Sequence, residues 1–301
     1  MFGQLYLALC ALQAVAHAYS VPPNLQTFYN TVSKQKNCTH TLKSGFGNGD
    51  NDYPLNWAYC ELDNVMYIHY GGGGLGSMAI DVDGRRPKGD NPQDSQDGTA
   101  FEDTLRSYNI SGVKDLDPYI HPYVVLGNQG TKKGYLTFDP HVYGVQPLSV
   151  VAVVCNGKLF YGVWGDTNGD DDYPKNGAST GEASQALGTA CFGKHVSANI
   201  GHGKPDVLYV AFKGATAVPG AKGADWAAKS YDEFEASIKQ LGDKLVSQIS
   251  LGSPTATATV WSPTLTGTAL SSALANWDGQ SYTPPSSKST AISKHKTGRQ
   301  W

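Results

Sequence analysis

Leu148-Ser149-Val150-Val151-Ala152-Val153-Val154-Cys155, Asn156-Gly157, Lys158-Leu159-Phe160-Tyr161-Gly162-Val163-Trp164 is two apolar runs separated by two residues. Asn-Gly accepts positive φ at both central turn positions, so this stretch predicts a β-hairpin. Working outward, Val65–Tyr70, Met78–Val82, Tyr119–Leu126, Tyr135–Phe138 and Val207–Phe212 are also rich in Val, Ile, Tyr or Phe and bounded by Gly, Pro, Asn or Asp. They read as further short strands. Helices are fewer. Phe234, Ile238, Leu241, Leu245 and Ile249 recur at helical spacing behind Ser230 and Glu233, which form a capping-box pair. Shorter helices are expected at Thr99–Tyr108 and Glu182–Cys191. The fold class is mainly β (α+β), a single barrel-like domain with a few peripheral helices and a double-psi barrel as one candidate topology.

The two ends differ from this body. Leu5–Val15 is apolar and is followed by Ala16-His17-Ala18, a small-x-small pattern, so residues 1–18 read as a secretory signal, although no basic residue precedes the run. The run is too short to span a bilayer. After Leu251 the composition turns to Ser, Thr and Pro, and residues 252–301 read as a flexible tail. Residues 19–251 remain as the candidate functional domain. The 301 residues carry a net charge of −3, but the tail alone is +3 (Lys288, Lys294, Lys296 and Arg299 against Asp278), which leaves −6 on the rest. Such an acidic body suits a cationic partner and gives no footprint for nucleic acid.

Removing the signal removes Cys10 and leaves Cys38, Cys60, Cys155 and Cys191. An even count in an exported chain favours two disulfides with three possible pairings. The sequence-local one, Cys38–Cys60 with Cys155–Cys191, is favoured because each bridge then closes a moderate loop. Asn37 and Asn109 stand in N-glycosylation triplets.

The second hairpin strand runs into Gly165-Asp166-Thr167-Asn168-Gly169-Asp170-Asp171-Asp172, four acids within seven positions, with Glu182 sixteen residues after Asp166. Period two would place Trp164 and Asp166 on one face, an aromatic ring beside a carboxyl group. Two carboxyl groups flanking a bond are what glycoside hydrolysis needs, one to protonate the leaving oxygen and one to activate water or attack carbon. Three other readings compete. Asp166, Asn168 and Asp170 alternate like the start of a calcium loop, but Asp171 and Gly177 stand where Gly and Glu are required. Ser179-x-x-Glu182 is a capping box, in which the glutamate only closes a helix. Acids among Gly and Asn can also be a solvated turn. The run Gly71–Gly74 has no phosphate-loop ending, and no nucleophile-elbow motif is present.

Gly162–Asp171, Gly181–Ser184 and Ala190–Gly193, together with Met78–Gly84, Asp115–Val125 and Val142–Val150, are similar to the fungal chitosanases of glycoside hydrolase family 75, in the family's order, from about Cys60 to Lys213. The resemblance implies secreted, endo-acting, inverting hydrolysis of β-1,4 linkages in chitosan. It assigns the catalytic acids to Asp166 and Glu182, with Asp170 in reserve. Asp81, Asp83, Asp170, Asp171 and Asp172 are expected to hold the substrate's amines and Trp164 to pack a sugar ring. Glu182 is expected as proton donor and Asp166 as base. No cofactor or metal is called for, and a monomer without membrane or nucleic-acid partners is expected. The chain departs from the family in a longer Asp171–Gly181 loop, a cysteine missing near Asp81–Gly84, and the tail. A non-catalytic carbohydrate- or calcium-binding wall protein is the alternative.

Overall fold

The computed structural model describes residues 18–48, 55–85, 98–171 and 177–250. The signal segment up to His17, Asp172 and the tail lie outside them. Ten strands follow one another: β1 (Thr41–Asn48), β2 (Trp57–Leu62), β3 (Val65–Tyr70), β4 (Gly76–Asp81), β5 (Tyr123–Asn128), β6 (Val150–Cys155), β7 (Lys158–Asn168), β8 (Ser179–Thr180), β9 (Glu182–Ser184) and β10 (His202–Phe212). The helices are α1 (Pro23–Val32), α2 (Glu102–Ser107), α3 (Gln185–Phe192) and α4 (Tyr231–Ser247).

The hairpin forms as the Asn-Gly dipeptide demands. Cys155 pairs with Lys158, and Asn156 (φ 48°) and Gly157 (φ 69°) both adopt positive φ. From it the sheet continues in the order β4-β9-β5-β7-β6-β10-β3-β2-β1-β8. The first half of β10 also returns to β4, at His202↔Met78 and Val207↔Gly76 with an irregular register between them. The domain is thus mainly β with few helices. The barrel expectation is corrected to this extent: six strands form a closed circuit, but through one irregular seam, and β3, β2, β1 and β8 extend beyond it.

The core is aromatic and β-branched, including fully buried Tyr59, Tyr123, Val150–Val153, Tyr161, Val210 and Phe212. The apolar stripe of α4 packs against β6 and β7, where Gly242 leaves room for the ring of Tyr161. Its cap matches the sequence: the Ser230 hydroxyl accepts from the Glu233 amide at 3.2 Å, and Glu233 Oε2 accepts from the Lys229 amide. Glu235 is 0 % exposed. It accepts hydrogen bonds from the Tyr19 hydroxyl and the Tyr161 amide, which ties α4 to β7 and to the residue after the expected signal.

Four local readings are corrected. Tyr135–Phe138 is not a strand and contributes only a bridge, Phe138↔Asn128. The helix expected from Thr99 begins at Glu102. The helix expected from Glu182 begins at Gln185, capped by the Ser184 hydroxyl, while Glu182 itself is in a strand. The N-terminal elements α1, β1 and β2 have no counterpart among the expected ones. Both disulfides take the favoured pairing, Cys38–Cys60 and Cys155–Cys191.

Replacing Cys155 and Cys191 together by Ala frees a loop with a sequence separation of 36. Loop-closure entropy predicts a loss of about 3–4 kcal/mol, read from denaturant unfolding. Among the described residues the core ends at Ile249, whose carbonyl accepts from Asn24. A chain ended after Leu251 should therefore melt at the same temperature as the full chain. A drop of several degrees by calorimetry would show that the tail contributes to the core.

Candidate active site

Asp166 and Glu182 flank one strand. Val125 of β5 pairs with Asp166 of β7 on one side and with Glu182 of β9 on the other. Residues in register across a sheet point to the same face, and strands lie about 4.8 Å apart, so the two backbones stand about 9–10 Å apart with a β5 residue between them. Asp81 is in register with Ser184, two residues beyond Glu182, and so joins the same face.

A bulge sets the position of Asp166. Val124 pairs with Trp164 and Val125 with Asp166, which leaves Gly165 as the extra residue. A Cβ at Gly165 would lie 2.5 Å from Leu116 Cδ1 and 2.6 Å from Tyr123 Cβ, so a side chain there has no room. The bulge also removes the expected period-two relation of Trp164 and Asp166, which now align with adjacent residues of β5. Trp164 is 2 % exposed, its indole N–H donates to the carbonyls of Leu126 and Asp166, and Phe101 packs edge-on against it. The ring expected to carry a sugar is therefore a buried support for the strand that bears Asp166.

The carboxyl of Asp166 is 4 % exposed, and its Oδ1 accepts from the amides of Ala100 (2.8 Å) and Thr167 (2.7 Å). Desolvation, then the nearby charge of Asp81, raise its pKa well above the ordinary carboxylate value, against these two bonds. Asp81, Asp83 and Asp166 each bring an oxygen within 4.8 Å of the others. Three acids so close together disfavour ionisation of the whole set. Asp83 N donates to Asp81 Oδ1, and the Tyr123 hydroxyl to the Asp83 carbonyl.

Glu182 is half-buried. Gly181 ahead of it has φ +86°, and a Cβ there would lie 3.0 Å from the Ser77 carbonyl oxygen, so a larger residue would push Glu182 off β4. Tyr59, Tyr135 and Tyr209 lie within its electrostatic reach, and burial pushes the Tyr59 phenol up to about 12. The capping-box reading of Glu182 fails because pairing to β4 and β5 places it three residues before the helix.

The remaining acids do other work. Asp170 Oδ2 accepts from the amides of Thr131 and Lys132, and the Lys132 bond is the first cause that holds its pKa below the usual value. With Asp170 turned to that loop and Asn168 reaching the Ser179 carbonyl at 3.4 Å, the alternate residues of the supposed calcium loop do not converge. Asp171 is exposed and its carbonyl accepts from Lys132. Asn37 and Asn109 are exposed, as glycosylation requires.

Sequence reasoning assigned no role to Asp115 and Thr99. Asp115 Oδ2 accepts from the Thr99 amide (2.9 Å), and its Oδ1 from the Thr99 hydroxyl (2.6 Å) and the Leu116 amide (2.8 Å). The contact crosses sixteen residues of chain, and only the presence of Asp115 in a family-like block hinted at it.

A family profile described as fungal chitosanase of glycosyl hydrolase group 75 matches residues 78–248. An endo-chitosanase of Aspergillus oryzae is 43% identical over 243 residues, which covers 78% of this chain and 94% of that protein. One from Aspergillus fumigatus is 44% identical over 241 residues with the same coverage, and endo-chitosanase B of Aspergillus oryzae is 41% identical over 243. With more than half of the chain matched by the profile and nearly the whole length of these relatives covered, the chain belongs to the fungal chitosanases of glycosyl hydrolase group 75.

Proposed function

We propose that this protein is a secreted endo-chitosanase that hydrolyses β-1,4 linkages between glucosamine units by inversion, with Asp166 as general acid and Glu182 as general base. The observation that carries this reading is the backbone register that sets Asp166 and Glu182 on either side of Val125. A spacing of two strands suits the roughly 6.5–9.5 Å between carboxyls that admits a water, rather than the closer pair of a retaining enzyme. The relatives' names supply the substrate. Two disulfides fit an oxidising, extracellular setting. Among the described residues no helix is long and apolar enough to cross a membrane. A purely binding wall protein would have no need to bury an acid beside a second one.

The assignment of roles reverses the one expected from the sequence. Burial, then the charge of Asp81, make this carboxyl hold its proton to higher pH than an ordinary aspartate, which is the direction a general acid needs. Both backbone donors use Oδ1, so Oδ2 is the oxygen left to carry the proton. Glu182 is more exposed and suits an ionised base. In the reaction Asp166 gives its proton to the glycosidic oxygen as the C1–O bond breaks. Glu182 takes a proton from the water whose oxygen bonds to C1 from the opposite face. Asp81 and Asp83 supply negative charge for the ammonium groups of the chain.

Asp166→Asn and Glu182→Gln should each lower kcat by about 10²–10⁴-fold on soluble chitosan while circular dichroism stays native. Half-normal activity in either would remove that residue from the mechanism. The α-anomer should be the first product by proton NMR. Azide should rescue Glu182→Ala to the α-azide and leave Asp166→Ala unrescued; the opposite pattern would exchange the two roles.

Stability gives an independent check. An acid whose pKa is higher in the folded than in the unfolded state favours folding at low pH, and this advantage is lost as pH rises from the unfolded value through the folded one. At neutral pH the unfolded wild type gains more from ionising this carboxyl than the folded form does, a cost that Asn lacks. Asp166→Asn should melt higher than wild type at pH 7 and lose that advantage near pH 4.

A further inference from the structure

We propose that Asp115 and Thr99 are positioning residues that clamp the Ala100 amide onto Asp166 and so fix which of its two oxygens carries the reacting proton. This rests on the reading of Asp166 as the general acid.

Thr99 is held at two points by one carboxylate. Its amide reaches Asp115 Oδ2 at 2.9 Å and its hydroxyl reaches Oδ1 at 2.6 Å. Thr99 and Asp115 are each 6 % exposed. The next amide along the chain, Ala100, points to Asp166 Oδ1 at 2.8 Å. Two consecutive N–H groups are thus divided between two buried carboxyl groups. Gly98 adds to the fit: a Cβ there would lie 3.2 Å from Asp115 Oδ2 and 3.3 Å from Glu102 Oε2.

A carboxyl group turns about its terminal torsion through a broad, nearly two-fold profile, so its oxygens exchange unless something distinguishes them. The Thr167 amide also reaches Oδ1, at 2.7 Å, but it belongs to the next residue of the same strand and moves with Asp166. The Ala100 amide comes from another segment, sixty-six residues away in sequence, and gives the carboxyl an external reference. The clamp holds Oδ1 as acceptor and leaves Oδ2 protonated. A general acid whose proton sits on the wrong oxygen is misplaced by about the width of the carboxyl group, an error large enough to slow the chemical step.

The groups that face Asp166 are Asp81 and Asp83 at the end of β4, Asp115 itself, and Tyr123 of β5. Thr99→Val adds or removes no charged residue, but it takes from Asp115 the hydroxyl bond that lowers a pKa raised chiefly by burial; of the two effects on Asp166, the Ala100 bond outweighs the Asp115 charge. The substitution removes the hydroxyl donor and loosens Ala100 while keeping the shape of the side chain. The Ala100 bond favours the ionised form of Asp166, so its loss should make Asp166 hold its proton more tightly.

The test compares wild type with Thr99→Val, Thr99→Ser and Asp166→Asn on soluble chitosan across pH. Thr99→Val should lower kcat by about 10–100-fold with KM within about twofold, and move the alkaline limb of kcat to higher pH. Thr99→Ser, which restores the hydroxyl, should recover most of the rate and the wild-type limb. Thr99→Ala serves the same comparison if a valine methyl is not accommodated beside Asp115. A normal rate and limb in Thr99→Val would overturn the proposal. So would a slower enzyme with an unmoved or lowered limb, since a fold defect that admits water relieves the desolvation of Asp166 and moves its pKa down. If Asp166→Asn is fully active, the acid assignment fails as well. If it is inactive while Thr99→Val is normal, only the clamp is wrong.

Discussion

A carboxyl group that is 4 % exposed must hold a proton or be surrounded by donors, because burying an unpaired charge costs several kcal/mol. At Asp166 both conditions operate. Desolvation and the neighbouring carboxylate of Asp81 favour the protonated form, while two amides converge on a single oxygen and oppose them. The balance leaves an acid with one oxygen engaged and the other available. Much of the surrounding structure can be understood as support for this group.

The support is mostly backbone. The Gly165 bulge sets Asp166 in register with Val125, and Trp164 braces the bulge by donating to carbonyls on both sides of it. On the far side of β5, Gly181 allows β9 to lie against β4, which brings Glu182 into line with the same valine. The Ser184 hydroxyl accepts from the Tyr123 amide and caps α3, so the strand that carries Glu182 is fixed at its other end too. The Cys155–Cys191 bridge then ties the end of α3 to the hairpin that bears Asp166. Each acid therefore rests on short elements whose geometry is over-determined, which is how a sheet can hold two side chains at a fixed separation.

Features set by local chemistry were legible in the sequence. The Asn156-Gly157 turn, the Ser230 cap with its helical stripe, and both disulfides follow from short spacings and compartment logic. The two acids were singled out by family motif, and the sheet pairs both of them with Val125. What the sequence concealed depends on contacts between distant segments. The bulge at Gly165 shows only in the register of β7 against β5, and the crowding by Leu116 and Tyr123 is what requires glycine there. Ser179-x-x-Glu182 satisfies a local capping pattern, yet pairing with β4 and β5 outweighs it. The aromatic run Tyr135–Phe138 has strand composition, but its rings are used for stacking, Phe138 lying on Tyr59 with centroids 4.2 Å apart. Thr99 carries no motif, and Asp115 is marked only by the family-like block that it opens.

The acidity of Asp166 is the claim from which the division of labour follows, and it can be observed without turnover. In protein labelled with ¹³C at the aspartate Cγ, the resonance lost in Asp166→Asn identifies this carboxyl. It should keep the chemical shift of a protonated acid after the solvent-exposed aspartates have ionised, and should titrate only at higher pH than they do. A resonance that titrates near pH 4 with the exposed aspartates would show that Asp166 is an ordinary carboxylate, and would contradict its assignment as the proton donor.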